Sequence, residues 1–273
     1  MRNPAAHDSL PSTSRPPLDE RDTRAALNDA GYQYSAKFTD NPYRYALALW
    51  RVLRHPRNNY PDVASAFEVR VVEVGFARSR IGRRFARWDQ VADVMRADPY
   101  MAERLRAQPS FGPVDLDTLA KLPDGTLGHV FATHCRERGM NPNISYVPPV
   151  TEEDWILNHV YETHDVWHVT TGWGNDIVGE IGITGFYISQ LRRSRFFALL
   201  LTLFLVKAVL FAPGAFAERM EAAVAGYTMG RRAKPLFGVN WAELWEVPLR
   251  QIREDFGIDA SQATGEGIHR QEA

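Results

Sequence analysis

Four residues are best placed to do chemistry: His164, Asp165, His168 and Glu180. His164-Asp165-Val166-Trp167-His168 lies inside a run that reads as helix from Thr151 to Thr171. At about 100° per residue, His168 stands about 40° from His164, and Asp165 about 100° from it, so all three can face one point. The i, i+4 spacing lets two imidazoles share one metal ion. Glu180 follows His168 with eleven residues between them, across the connector Gly172-Trp173-Gly174-Asn175. A hairpin of two helices would return this carboxylate to the facing side of the histidines. Two nitrogens and two carboxylates suit a tetrahedral zinc ion. Iron(II), manganese and magnesium accept the same donors.

Other metal architectures fit less well. A lone His-x-x-x-His pair is commonly core or surface, and it is Asp165 and Glu180 that set this one apart. A zincin needs His-Glu-x-x-His, where this chain has the shorter Asp165. A ferritin-like site needs two Glu-x-x-His motifs, which are not evident. An HD-type metal phosphohydrolase could be assembled from His134, His164-Asp165 and Asp255, but it would leave His168 and Glu180 without roles. His159 lies about 140° from His164 and about 180° from His168, so it reads as structural. Trp167 and Trp173 flank the candidate site and read as core. His129 and His134 are candidate supporting residues, with ordinary core or surface positions as the plainer reading.

The elements that must position these residues are helical. Of 273 residues, 45% are hydrophobic and 24% charged, ordinary values for a globular chain with a real core. The formal net charge of -1 gives no field to recruit nucleic acid. The single cysteine, Cys135, excludes an intramolecular disulfide and a cysteine-built zinc cluster, and points to a reducing, cytoplasmic compartment. Residues 1–24, rich in Pro, Ser and charge, read as a disordered tail without a secretory signal; residues 261–273 read as a frayed tail; residues 25–260 read as one domain.

The pattern predicts an all-α, multi-helix bundle. Helices are expected over Tyr45–Leu53, Val63–Phe76, Phe85–Leu105 with a break at Asp98-Pro99, Leu127–Arg138, Thr151–Thr171, then from an Asn175 cap to Arg193, Phe196–Phe211, Pro213–Arg231 and Trp241–Phe256. Thr151 with Asp154 forms a capping-box start, and Gly139 and Gly172 suit helix ends.

The segment Phe196–Ala212 is strongly apolar and interrupted only by Lys207. It is short for a membrane span and reads as a core helix, the wall of an apolar tunnel, a dimer interface or a surface that docks on a membrane. Arg192, Arg193 and Arg195 precede it and suit anionic headgroups. Arg78, Arg80, Arg83, Arg84 and Arg87 form a second basic cluster, able to grip a phosphate or a membrane surface, though such runs are more commonly solvated faces.

The spacing His164-Asp165-x-x-His168, eleven residues, then Glu180 resembles the signature of the Coq-four family of coenzyme Q (ubiquinone) biosynthesis proteins. Val178-Gly179-Glu180-Ile181, Leu122-Pro123-Asp124-Gly125-Thr126-Leu127-Gly128 and Glu243-Leu244-Trp245-Glu246-Val247-Pro248-Leu249 are similar to that family's segments, and the resemblance spans residues 41 to 258. Tyr161 stands where the family usually carries Arg, and Tyr100-Met101 replaces its x-Gly after Asp98-Pro99, so the chain looks like a divergent bacterial member. The resemblance implies an all-α fold with a metal-bearing helical hairpin and an apolar lipid groove. It implies His164, Asp165, His168 and Glu180 as ligands and catalytic residues, and a polyprenylated quinone precursor as substrate. The implied reaction is oxidative decarboxylation at ring C1, carboxylate to hydroxyl. The alternative is a non-catalytic, isoprenoid-binding scaffold that organises other quinone-biosynthesis enzymes. A homodimer, peripheral on the inner face of the membrane, completes the expectation.

Overall fold

The computed structural model describes residues 80–143, 149 and 151–264. The helices expected before residue 80, the N-terminal tail, residues 265–273 of the C-terminal tail and most of the Asn141–Pro149 loop lie outside the described residues; the start of the tail expected to fray, Ser261 and Gln262, instead closes a 3-10 turn on Asp259. Ten α-helices follow in order: α1 Arg80–Ala86, α2 Trp88–Ala97, α3 Pro99–Ala107, α4 Leu116–Leu119, α5 Leu127–Glu137, α6 Glu152–Thr171, α7 Ile177–Gln190, α8 Arg195–Phe211, α9 Phe216–Arg232 and α10 Leu249–Phe256. Among the described residues there is no strand, only one isolated bridge between Thr126 and Pro248.

The central element is α6. Fourteen of its twenty residues are buried, so it has little amphipathic contrast and sits inside the bundle rather than on it. Its ends follow from local chemistry. The Thr151 hydroxyl accepts from the Asp154 N–H at 3.1 Å, and the Asp154 carboxylate accepts from the Thr151 N–H at 3.2 Å. At the other end Gly172 adopts φ 84°, a left-handed conformation that costs glycine little. Arg253 of α10 donates from Nε to the Thr170 carbonyl (3.0 Å) and from Nη2 to that of Val169 (3.1 Å), capping carbonyls the helix itself leaves unpaired.

Next to it, α7 is more completely buried still, with twelve of its fourteen residues inside, and packs on α9 through small residues. A Cβ built on Gly226 would lie 2.7 Å from the Gly182 carbonyl carbon, and one on Gly185 would overlap the Ala223 carbonyl oxygen. The two backbones are therefore in direct contact, a separation that only hydrogen-sized side chains allow.

Three expectations change. The Phe85–Leu105 helix is broken at Asp98 as expected, where the Asp98 carboxylate accepts from the N–H groups of Tyr100 and Met101. It is also broken at Arg87, which takes a left-handed φ of 53° and forks onto Asp89. The cap of α7 is Asp176 rather than Asn175; its carboxylate accepts from Val178 N–H (2.7 Å) and Gly179 N–H (3.1 Å). The helix then stops at Gln190, short of Arg193, which is itself left-handed. The single helix expected over Trp241–Phe256 is a 3-10 turn, Trp241–Leu244, followed by α10, because Pro248 cannot sit inside a helix. The intervening residues strap the Leu122–Gly128 turn instead: Val247 and Trp245 carbonyls accept from Leu127 and Gly128, and Gly125 from Leu249.

No described helix is long and apolar enough to cross a membrane. The outer surface of α8 and α9 is nevertheless apolar. Leu199, Leu203, Val206 and Leu210 are exposed along α8, and Phe216, Met220, Val224 and Tyr227 along α9. Lys207 points the other way: it is buried, and burial together with Arg219 brings its pKa down to about 8. A helix that hides its only lysine and shows its aliphatic stripe is built to meet something apolar.

Candidate metal centre

The centre is made by the α6–α7 hairpin. The connector turns inward: Trp173 is fully buried, and its carbonyl accepts a hydrogen bond from His168 Nδ1 at 2.9 Å. A carbonyl can only accept, so Nδ1 carries the proton and Nε2 of His168 presents a lone pair. That lone pair faces His164 Nε2 at 3.1 Å, one helical turn back. Glu180, in the first turn of α7, brings Oε2 to 3.7 Å from His164 Nε2 and Oε1 to 3.7 Å from His168 Nε2. One ligand atom from each of the three residues lies within 4.8 Å of the others. Ligands about 2.0 Å from a tetrahedral zinc would stand roughly 3.3 Å apart, so the three donors fit one divalent ion.

Electrostatics favours the ligating forms. Burial, and then the neighbouring His164, hold His168 below the usual imidazole range, which keeps it neutral. Burial pushes the Glu180 carboxyl up, but the two imidazoles beside it outweigh that, and it ends below its ordinary value and ionised. His168 is fully enclosed, whereas the His164 side chain keeps 24% of its surface, so the site opens on the His164 side.

The structure brings His164, His168 and Glu180 together. Asp165 is buried next to them, and its charge acts on His134, His168 and Glu180, but it stands outside the group of three. His159 is structural, as its angle implied: its Nε2 accepts from the Gly238 N–H at 3.1 Å, and its ring stacks on Trp155. His129 fastens the Leu122–Gly128 turn, with Nδ1 at 3.0 Å from the Leu122 carbonyl. Asp255 is exposed on α10 and accepts from Gln251, so the phosphohydrolase arrangement is not assembled. Trp167 and Trp173 are core.

Two further residues border the centre: His134, already a candidate supporting residue, and Tyr187, which the motif did not single out. His134 of α5 is buried against the site, and burial, with Arg138 and His168, drives its pKa down to about 3. Neither of its ring nitrogens makes a well-formed hydrogen bond, although the Asn175 amide is close enough to favour its protonated form. Tyr187 stacks between Trp167 and Phe197, each at 4.3 Å, and lies parallel to His164 at 6.0 Å. Its signal was present: Tyr187 is seven residues beyond Glu180, two turns along the same face of α7.

With this geometry in place, comparison with known proteins is direct. The family profile described as coenzyme Q (ubiquinone) biosynthesis protein Coq4 matches residues 79–262. The human mitochondrial ubiquinone biosynthesis protein COQ4 homolog is 25% identical over 278 residues, covering 95% of this chain and 94% of that protein. The mitochondrial ubiquinone biosynthesis protein COQ4 of Eremothecium gossypii is 32% identical over 163 residues, 56% of this chain; that match spans about half of the relative's length, 48%. A Nostoc punctiforme crystal structure, described as that of a ubiquinone biosynthesis protein, superimposes with a TM-score of 0.62 at 27% identity, covering 80% of this chain and 99% of that one.

Proposed function

The chain belongs to the Coq4 family of coenzyme Q biosynthesis proteins, and from that premise we propose that it is a metal-dependent enzyme acting on the ring of a polyprenylated quinone precursor. The reaction is oxidative decarboxylation: the C1 carboxylate leaves as carbon dioxide and a hydroxyl takes its place, with dioxygen or an external acceptor as oxidant. The observation that carries this reading is the convergence of two imidazole Nε2 atoms, 3.1 Å apart, on the Glu180 carboxylate. A divalent ion held there would supply Lewis-acid stabilisation of negative charge on the ring substituents.

The chain's own residues do the rest. The Trp173 carbonyl fixes the tautomer and orientation of His168. Glu180 keeps its charge by virtue of the histidines. Asp165, buried beside the three, is the fourth ligand of the set or holds its positive charge from behind. Substrate enters on the His164 side, the most solvent-accessible of the three ligands. The isoprenoid tail lies along the aliphatic surface of α8 and α9, in the place of the lipid groove. That surface also makes the protein peripheral on the inner, cytoplasmic face of the membrane, and it serves a homodimer or the neighbouring enzymes of the pathway.

A second reading has a specific observation behind it: the same apolar surface suits a lipid-binding scaffold with a structural metal. Metal analysis and turnover separate the two. The purified protein, reconstituted in turn with zinc, iron(II), manganese and magnesium, should hold about one equivalent and convert a prenylated hydroxybenzoate, while His168→Ala should do neither. Full metal loading with no turnover in any form would favour the scaffold. No metal in any form, or turnover surviving His168→Ala, would end the proposal.

A further inference from the structure

The second arginine run joins one arginine from far along the chain. Arg83, Arg84 and Arg87 line a cavity of about 510 Å³ together with Trp88, Arg195 (the first residue of α8) and two carboxylates, Asp89 and Glu153, so its arginines outnumber its acids by four to two. Two of the four guanidinium groups are neutralised: Arg83 by Asp154 at 2.5 Å and Arg87 by Asp89 at 2.8 Å. Arg84 and Arg195 have no carboxylate partner among the described residues. Next to Arg195, the buried hydroxyl of Ser194 has no hydrogen-bond partner and, although it occupies the cap position, caps none of the first N–H groups of α8. The positive end of a seventeen-residue helix is thus left without its side-chain acceptor, beside two arginines with no carboxylate partner among the described residues.

Arg195 also heads the exposed stripe. At about 100° per residue, Leu199, Val206 and Leu210 lie within about 60° of it around α8. The surface therefore offers a cationic pocket at one end and about 25 Å of exposed aliphatic helix running from it. We infer that this pocket binds a phosphate group, presented by the headgroup of an anionic phospholipid while the α8 stripe enters the hydrocarbon. Guanidinium forks match phosphate oxygens in pairs, and an uncapped helix N-terminus adds N–H donors to the same anion. This deepens the membrane-surface part of the proposed function and is independent of the metal chemistry.

The test uses the full chain and sedimentation with two vesicle compositions, phosphatidylcholine alone and phosphatidylcholine with phosphatidylglycerol. The parent should partition onto the anionic vesicles. Arg84→Gln/Arg195→Gln should bind them more than about 100-fold more weakly, beyond the roughly 30-fold that two basic side chains supply by diffuse charge alone. Arg192→Gln/Arg193→Gln removes the same charge from the adjacent turn and should lose clearly less. Thermal unfolding of each variant checks that the fold survives without reference to any metal, so failure here is distinguishable from failure of the enzymatic reading. Equal loss in both pairs would reduce the pocket to diffuse surface charge and overturn the inference, as would absence of anionic-vesicle binding by the parent. Inorganic phosphate, added at matched ionic strength, tells the source of the anion: displacement assigns the pocket to free phosphate as well, and no displacement to the headgroup at a lipid surface.

Discussion

Replacing Gly226 by alanine should both loosen the bundle and disturb the metal centre. The added methyl would lie 2.7 Å from the Gly182 carbonyl carbon and overlap its oxygen, where ordinary van der Waals contacts begin at 3.4 Å. Restoring that contact to the oxygen requires the α7 and α9 backbones to separate by about 1.5 Å, and neither contact is the free end of a side chain that could swing away. Overpacking of a rigid core costs about 1–3 kcal/mol, and a backbone clash belongs at the upper end, about 3 kcal/mol. Alanine returns about 1 kcal/mol in helix propensity, leaving a net loss of about 2 kcal/mol. For a chain of this size that lowers the melting temperature by about 4–8 °C. Thermal and urea unfolding of the parent, Gly226→Ala and Gly214→Ala would measure it. Gly214 is the control, since a methyl there meets nothing within 4 Å and should be neutral or slightly stabilising. Gly182 is two residues from Glu180, so the displaced α7 should carry the carboxylate with it and weaken metal affinity in parallel. If Gly226→Ala proves as stable as Gly214→Ala, the claim that backbone contact between α7 and α9 sets the position of Glu180 is wrong.

Two further outcomes follow from the same geometry. His134 is buried neutral with a pKa of about 3, below the roughly 6.5 of an unfolded imidazole, so acid protonates the unfolded chain first. Its contribution is fully present above about pH 6.5 and is lost as pH falls toward 3; between pH 7 and 5 it amounts to about 2 kcal/mol. Urea titrations of metal-free parent and His134→Phe at both pH values should show a flatter acid side in the variant, and unchanged steepness would contradict the burial argument. Thr151→Ala removes one half of the capping box of α6 and should cost about 1 kcal/mol, with Thr151→Ser retaining most of it; no loss in chemical denaturation would mean that α6 is held by packing alone.

Much of α6 and α7 could be read from the sequence because their ends are written in local chemistry. Thr151 with Asp154 and the glycine at 172 carry their own reasons for starting and stopping a helix. The choice of Asp176 over Asn175 was not local. Both residues can cap, and the selection comes from the close approach of Gly179 to the Gly174 backbone, which fixes where the chain enters α7. The break at Arg87 has no glycine or proline to mark it; a left-handed arginine is paid for by its fork onto Asp89 and by tertiary packing. Pro248, by contrast, was a visible stop inside Trp241–Phe256, and its consequence is the strap over the Leu122–Gly128 turn.

The centre itself was legible to the extent that helical angles determine it. His164 and His168 are about 40° apart on one helix, and no tertiary information is needed to bring them together. Glu180 required only that a four-residue connector close a hairpin. Asp165, at about 100°, falls at the edge of what angle arithmetic can decide. A modest rotation of α6 places it with the ligands or behind them, and here it lies outside the group of three, acting through its charge on His168 and His134. His134 arrives on α5 with no periodic relation to α6, so only the packed structure could bring it there. The ligand spacing therefore belongs to local helix geometry, whereas the buried polar surroundings that tune those ligands belong to the tertiary fold. Conservative changes at His134 should consequently alter how the centre behaves with pH without abolishing its ability to form.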